Sequence, residues 1–392
     1  MSDSGEGPTI EGLDASAYTV PTDQPESDGT LAWDSTTMVL VEAAAGDARG
    51  VGYSYTHAAA AQLIESKLAK QVKGTDAMAV YQAQRSMVHA IRNLGRSGIC
   101  ACAISAVDIA LWDLKARLLD RPLVDVLNRA HDAVPIYGSG GFCSYSPDRL
   151  RAQLSGWVDE GMTMVKMKVG RHPDDDPDRV ETARDAIGDD AELFVDANGA
   201  YGRKSALYFG DVFAERGVTW FEEPVSSDDL EGLRLIRKEG PPRMDIAAGE
   251  YGYDLYYFRD MLQARAVDVL QADVTRCGGI TSFLAAGELV HAHAMDLSAH
   301  TAPHISAHAM CAIPRMRHIE YFHDHVRIEQ ISHRADAVRR CIDTEKWDAR
   351  TGPLPLGNGP HLQARRRGAV SGVSVAAFFH RQENQRHDVF SS

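Results

Sequence analysis

The chain has 392 residues, and at roughly 150 residues per domain that allows two or three domains with ample surface to bury in a core. Lys plus Arg is 41 against 55 for Asp plus Glu, so the formal charge is −14, the wrong sign for gripping phosphate backbones, and no nucleic-acid partner is expected. Apolar residues make up 44% and charged residues 24%, which excludes a disordered chain, and no apolar run reaches the ~18 to 20 residues of a membrane-spanning helix, so no membrane partner is expected.

The N-terminus is polar and acidic, without the basic start and apolar core of a signal peptide. A cytoplasmic location follows by default, and residues 1–12 read as a disordered tail. Residues 36–42 and 50–56 then read as two β segments around an Ala/Gly/Asp turn. From 57 to about 128 the pattern is helical. Over 103–115, Ile104, Val107, Ile109, Ala110, Leu111 and Leu114 recur at helical spacing and predict a helix buried on most of its surface. Residues 13–133 are therefore expected to form an α+β domain. Cys100, Cys102, Cys143, Cys277, Cys311 and Cys341 are scattered and read as free thiols, and the Cys100/Cys102 pair has no second pair to complete a zinc site.

From about 134 short apolar runs alternate with amphipathic helices. The runs are 134–137, 163–169, 192–196, 218–222, 244–250, 267–273, 295–300 and 318–321, and they begin about 20 to 30 residues apart, the length of one βα unit. Eight such units predict an α/β fold of the (β/α)8-type barrel over 134–325. No glycine-rich phosphate turn follows the first run, as an open doubly wound sheet would have. Residues 326–392 are left as a C-terminal return segment.

The chemistry of such a barrel sits at the C-terminal ends of its strands. The third run ends in Asp196, the fourth in Glu222-Glu223-Pro224, and the fifth in Glu250. Each acid alone could cap the next loop, but three at matching positions converge on one point, and hard oxygen ligands there suit Mg²⁺. Lys166 and Lys168 on the second run share a face, since side chains alternate along a strand. Two ammonium groups so close, near a divalent cation, are expected to depress one another's pKa and leave one able to act as a base near neutral pH. The sixth run ends at Asp273 and the seventh at His300, where the aspartate can fix the imidazole's tautomer and raise its basicity. His291 and His293 fall on a helix and read as packing or surface residues. Glu320 on the last run is a further acid or a supporting partner.

These residues resemble the enolase superfamily and, within it, the mandelate racemase subgroup of acid-sugar dehydratase-like proteins, over about residues 17–325. Superfamily members use a Lys or His base with Mg²⁺ stabilising an enediolate. The resemblance implies metal ligands Asp196, Glu222 and Glu250, a second-strand Lys-x-Lys at Lys166 and Lys168, a dyad of His300 with Asp273, and the late glutamate Glu320. The resemblance assigns the metal to Glu222 and not to Glu223, because relatives with Glu-Gln-Pro keep only the first. Cys277-Gly278-Gly279-Ile280 is similar to the turn after the family's sixth strand, and residues 108–115 to the helix leading out of its capping domain. Asp273 stands where muconate-lactonising members carry a lysine, and Asn198 where galactonate-dehydratase members carry a histidine. Beyond Glu329 the family's usual Phe-Asp-Gly-like stretch and Pro-Gly-containing end have only a weak echo.

The implied activity is removal of the proton α to a carboxylate, with Lys168 and His300 on opposite faces of the substrate and Lys166 and Glu320 at its carboxylate oxygens. Dehydration of an acid sugar to a 2-keto-3-deoxy acid is the first expectation, and racemisation or epimerisation of a 2-hydroxy acid the second. A relative that binds Mg²⁺ without turnover is the reading from another class. Cap segments 20–29 and 53–57 are expected to close over the mouth, with Tyr53 and Asn198 binding the small carboxylate substrate. A homo-oligomer is expected.

Overall fold

The structure, a computed structural model, describes residues 7–329. Three antiparallel strands come first: β1 (Gly12–Ser27), β2 (Ala32–Ala45) and β3 (Ala48–Tyr55), in that order across the sheet. The first expected β segment lies within β2, and the second falls on β3 up to Tyr55. β1 reads as polar sequence because it is an edge strand, half exposed along most of its length, with a register shift between Pro21 and Glu26. The tail expectation is corrected for residues 7–12. Ile10 is 1% exposed in the cap core, and its carbonyl accepts from Gly74 while Pro8's accepts from Ala77. One buried isoleucine and a set of backbone bonds anchor a stretch whose composition alone reads as a tail.

Helices α1 (Ala59–Leu63), α2 (Ala69–Val72), α3 (Val80–Ala90) and α4 (Ile99–Leu118) cover the sheet, with a π-helical turn at Ile64–Leu68 between the first two. α4 is buried on nearly every side because it serves two cores. Ile104, Val107, Leu111 and Leu114 face the cap, whereas Ile109 joins the barrel core. β3 lies so close to α4 that a Cβ at Gly52 would stand 2.2 Å from the Ala106 carbonyl oxygen.

After the short α5 (Leu123–Val126), eight parallel strands close a barrel in chain order: β4 (Ile136–Gly140), β5 (Met164–Lys168), β6 (Glu192–Asp196), β7 (Val218–Glu222), β8 (Asp245–Ala248), β9 (Val269–Ala272), β10 (Asp296–Ala299) and β11 (Met316–Phe322). Between them run α6 (Pro147–Asp159), α7 (Asp176–Ile187), α8 (Arg203–Ala214), α9 (Leu230–Glu239), α10 (Leu255–Ala264), α11 (Gly279–Ala292) and α12 (Pro303–Met310). The α/β barrel with a separate antiparallel cap is the architecture expected from the apolar runs. The described cysteines are free thiols, and no helix among the described residues is long and apolar enough to cross a membrane. Cys341 and the return segment from residue 330 onward lie outside the described residues.

Two motifs that look unrelated in sequence meet where cap and barrel join. Ser105 Oγ on α4 accepts from the backbone N–H groups of Gly278 and Gly279, and Asp108 accepts from the N–H and the hydroxyl of Thr281. The cap helix thus satisfies the open donors at the start of α11, as a local capping residue would. Gly279 has φ +83°, and a Cβ there would lie 2.3 Å from Asp108 Oδ1, so both the conformation and the docking require glycine.

Below the mouth the barrel is filled by Tyr137, Phe194 and Trp220, with the His318 ring 4.8 Å from Tyr137 and 4.9 Å from Trp220. Burial, aided by the charges of Arg317 and Lys166, pushes His318 down to about 3. An unfolded histidine takes a proton near pH 6.5, so below that pH the unfolded chain binds one proton more than the folded one and stability falls with acid. The expected result is that the stability difference between the parent and His318→Gln shrinks by roughly 1.4 kcal/mol per pH unit below about pH 6.5. Urea unfolding of both proteins between neutral and mildly acid pH measures it, and a constant difference contradicts it.

Candidate active site

Asp196, Glu222, Glu250, Asp273 and His300 stand at the ends of the barrel strands or one to two residues beyond them. Asp196 and Glu222 are the final residues of β6 and β7 and stand side by side in register, while Glu250 follows β8 by two residues. One oxygen from each of the three lies within 4.8 Å of the others, and all three side chains are buried. Glu223 does not belong to this group. It is buried with φ +39°, its Oε1 accepts no hydrogen bond, and burial and the charge of Glu250 push its carboxyl well above the usual range.

Lys166 and Lys168 both point into the same mouth from β5. Lys166 Nζ lies 2.5 Å from Glu222 Oε1, 2.9 Å from Glu320 Oε1 and 3.4 Å from Asp196 Oδ2. Lys168 Nζ lies 2.5 Å from Asp196 Oδ2. Burial works to lower the Lys168 ammonium, and Lys166 adds to that, but the Asp196 carboxylate together with Glu320 and Glu250 holds it above the ordinary lysine range. Lys166 is raised in the same way, against burial, by Glu222 and Glu320.

Opposite the lysines stands the dyad. His300 Nδ1 is 2.8 Å from Asp273 Oδ2, and its Nε2 faces Glu250 Oε2 at 3.1 Å and Glu320 Oε2 at 3.5 Å. Thr275 gives both its N–H and its hydroxyl to Asp273 Oδ1, each at 2.7 Å. Burial works to raise the Asp273 carboxyl, but the His300 hydrogen bond and the Arg276 charge hold it below the usual range. Around the barrel, β11 and β4 separate the His300 strand from the Lys168 strand on one side, and β6 to β9 on the other. The two basic side chains therefore reach the centre from across the mouth, with the three acids on adjacent strands between them.

Several partners in this ring are invisible in the strand endings. Arg276 Nε lies 3.2 Å from Asp273 Oδ2 and its Nη1 3.3 Å from Glu250 Oε1, so one guanidinium ties the dyad to a neighbouring acid. Its signal was its place three residues after Asp273, on the turn leading to Gly278. Ser139 Oγ donates to Glu320 Oε1 at 2.6 Å, and Trp220 Nε1 to Glu222 Oε2 at 2.9 Å. Both belong to a period-2 pattern on their strands that points inward. His291 and His293 are exposed.

Of the residues expected to meet substrate, Asn198 stands at the rim with φ +46°, its N–H on Asp196 Oδ1 and its own Oδ1 buried without a hydrogen bond. Tyr53 is placed otherwise. Its hydroxyl is occupied 2.9 Å from Glu329 Oε1, and Tyr55 shares the same carboxylate at 3.2 Å. The segment 20–29 is the distal half of β1 and the turn after it, and it does reach the mouth. Gly29 is packed so tightly there that a Cβ would stand 2.4 Å from the Ala197 carbonyl oxygen.

The donor set fits a hard divalent cation. Three carboxylates from adjacent strands offer oxygen ligands, and Glu250 Oε2 is buried without a hydrogen bond. Burial and the charge of Asp196 push Glu222 well above the usual carboxyl range, which is what a crowd of buried acids short of positive charge produces.

Comparison with known proteins agrees with this geometry. A family described as "Mandelate racemase / muconate lactonizing enzyme, N-terminal domain" matches residues 17–128, and "Enolase C-terminal domain-like" matches 149–360. The chain is 34% identical over 280 residues to a 3,6-anhydro-alpha-L-galactonate cycloisomerase of Streptomyces coelicolor, covering 70% of this chain and 76% of that one. It is 32% identical over 279 residues to the L-talarate/galactarate dehydratase of Salmonella typhimurium, covering 70% and 69%. Among solved structures, a mandelate racemase/muconate lactonizing enzyme-like protein from Rubrobacter xylanophilus superposes with a TM-score of 0.81 at 56% identity, over 82% of this chain and 90% of that one. A racemase from Streptomyces coelicolor with bound magnesium gives 0.77 at 32% identity, over 81% and 90%. With both halves matched and the strand-end acids in place, the chain belongs to the mandelate racemase/muconate lactonizing enzyme family of the enolase superfamily.

Proposed function

We propose that the protein dehydrates an acid sugar to a 2-keto-3-deoxy acid, with Mg²⁺ held by Asp196, Glu222 and Glu250. The observation that carries this reading is the placement of Lys168 and of the His300–Asp273 dyad across one mouth, with the three-carboxylate nest between them. Mg²⁺ bound there supplies Lewis-acid stabilisation of the charge that develops on the substrate carboxylate as the α-proton leaves. Lys166 and Glu320 position that carboxylate. One of Lys168 and His300 takes the α-proton. The other delivers a proton to the β-hydroxyl, which departs as water, and the resulting enol takes up a proton at its β-carbon to give the keto acid. The relatives include a galactarate dehydratase and a sugar-acid cycloisomerase, which supports an acid-sugar substrate.

Racemisation is the second reading, favoured by the same opposition of Lys168 and His300, because two bases on opposite faces of one carbon exchange its proton with inversion. Incubation with Mg²⁺ and a panel of mono- and diacid sugars is expected to release 2-keto acid from at least one. No keto acid from any sugar, with α-proton exchange into D₂O on a 2-hydroxy acid, transfers the proposal to racemisation. Silence in both assays from a folded protein that binds Mg²⁺ points to a non-catalytic relative.

A further inference from the structure

We propose that Glu26, His323 and Asp324 form a second divalent-cation site, suited to Zn²⁺, that fastens the end of β1 in the cap to the segment leaving β11. One ligand atom from each of the three lies within 4.8 Å of the others, and the group shares no residue with the active-site acids. Glu26 is 1% exposed and Asp324 is fully buried. Asp324 Oδ1 is buried and accepts no hydrogen bond, and the nearest cationic group among the described residues, Arg327 Nη2, stands 3.6 Å from it. A buried carboxylate oxygen left without a donor calls for a cation.

The surroundings fit a metal better than a simple ion pair. Trp33 Nε1 lies 3.1 Å from Glu26 Oε2 and 3.4 Å from Asp324 Oδ2, Thr36 Oγ1 reaches Asp324 Oδ2 at 3.4 Å, and the Tyr145 hydroxyl reaches Glu26 Oε1 at 3.3 Å. These neutral donors orient the two carboxylates without neutralising them. Asp23 holds His323 Nε2 at 3.0 Å, the outer carboxylate on a ligand histidine that fixes the ring at metal sites. Arg327 is partly engaged elsewhere, on the Pro21 carbonyl and on Asp23. One imidazole with two carboxylates is a donor set for Zn²⁺ rather than for Mg²⁺, which prefers oxygen alone. The ligands come from two parts of the fold, Glu26 at the end of β1 and His323 and Asp324 just after β11, so a bound ion closes cap onto barrel.

The test uses the full chain saturated with Mg²⁺, which occupies the first site, then dialysed against Zn²⁺ and analysed for metal by mass spectrometry. The expected result is a single zinc retained per chain, lost in Glu26→Gln/Asp324→Asn and kept in Asp196→Asn/Glu222→Gln. Zinc should also raise the melting temperature of the parent but not of the Glu26→Gln/Asp324→Asn protein. If that double variant fails to fold, His323→Ala, at a half-exposed position, should weaken zinc binding at least about tenfold. Failure of the parent to retain zinc, retention unchanged by these substitutions, or loss of zinc on removing Asp196 and Glu222 each overturns the proposal. The last outcome leaves the primary metal site standing.

Discussion

His300→Asn should abolish turnover while leaving Mg²⁺ affinity nearly intact. The imidazole is 7% exposed at the mouth and bonded through Nδ1 to Asp273 Oδ2, so it is oriented to work through Nε2. Asparagine keeps a side chain of similar reach toward Asp273 but cannot exchange a proton near neutral pH, and the loss in kcat should be on the order of 10² to 10⁴, the usual worth of a positioned acid–base group. The three metal acids stand on β6, β7 and the end of β8, and none is replaced. Only Glu250 Oε2, 3.1 Å from His300 Nε2, loses a neighbour. Asp273→Asn should reproduce much of the loss, because an amide in place of the carboxylate no longer fixes the tautomer or stabilises the charged ring. Keto acid release on the best sugar acid of the panel, with calorimetric Mg²⁺ titration, reads both quantities. Full activity of His300→Asn, or loss of its Mg²⁺ binding, contradicts the proposed division of roles.

The barrel and its acids were legible because of what burial on both faces does to a strand. β6 and β7 have helices outside and packed side chains inside, so they read as largely apolar runs whose only acids are the ones at their ends. β1 obeys the opposite rule. As an edge strand it carries Asp14, Ser16, Thr19 and Thr22 without strain, and its pairing is set by β2 rather than by its own pattern. Ile10 shows the same limit on a smaller scale, since a lone apolar residue in a polar stretch carries no period. The lysine pair was legible as a pair, but the direction of its pKa depended on which acids ended up between the ammonium groups. That is a matter of barrel closure, which brings Glu320 on the last strand to Lys166 on the second. Arg276 and Ser139 escaped for a similar reason, because their partners lie on other strands or loops. Glu26 and Asp324 are the extreme case, two acids outside every strand-end pattern that the fold nevertheless places inside.

Lys166→Met should destabilise the protein strongly and make it depend on Mg²⁺. Lys166 is fully buried, with Nζ shared among Glu222, Glu320 and Asp196 and poised 5.3 Å from the centre of the Tyr137 ring. Forming such a cluster yields little net stability, because desolvation of the charges offsets their attraction. Removing one member costs about 3–5 kcal/mol, because the remaining carboxylates stay buried and repel one another. Methionine fills the space of the lysine stem and so isolates the loss of charge from the loss of volume. The proposed cation shares Asp196 and Glu222 with Lys166, so in the variant it supplies the positive charge that the side chain no longer does. Mg²⁺ should therefore raise the urea midpoint of Lys166→Met by more than it raises the parent's, since a ligand stabilises in proportion to its affinity for the folded state. Turnover should stay low even with Mg²⁺ saturating, because stability can be restored by any charge at the nest, whereas orienting the substrate carboxylate requires the ammonium at the Lys166 position.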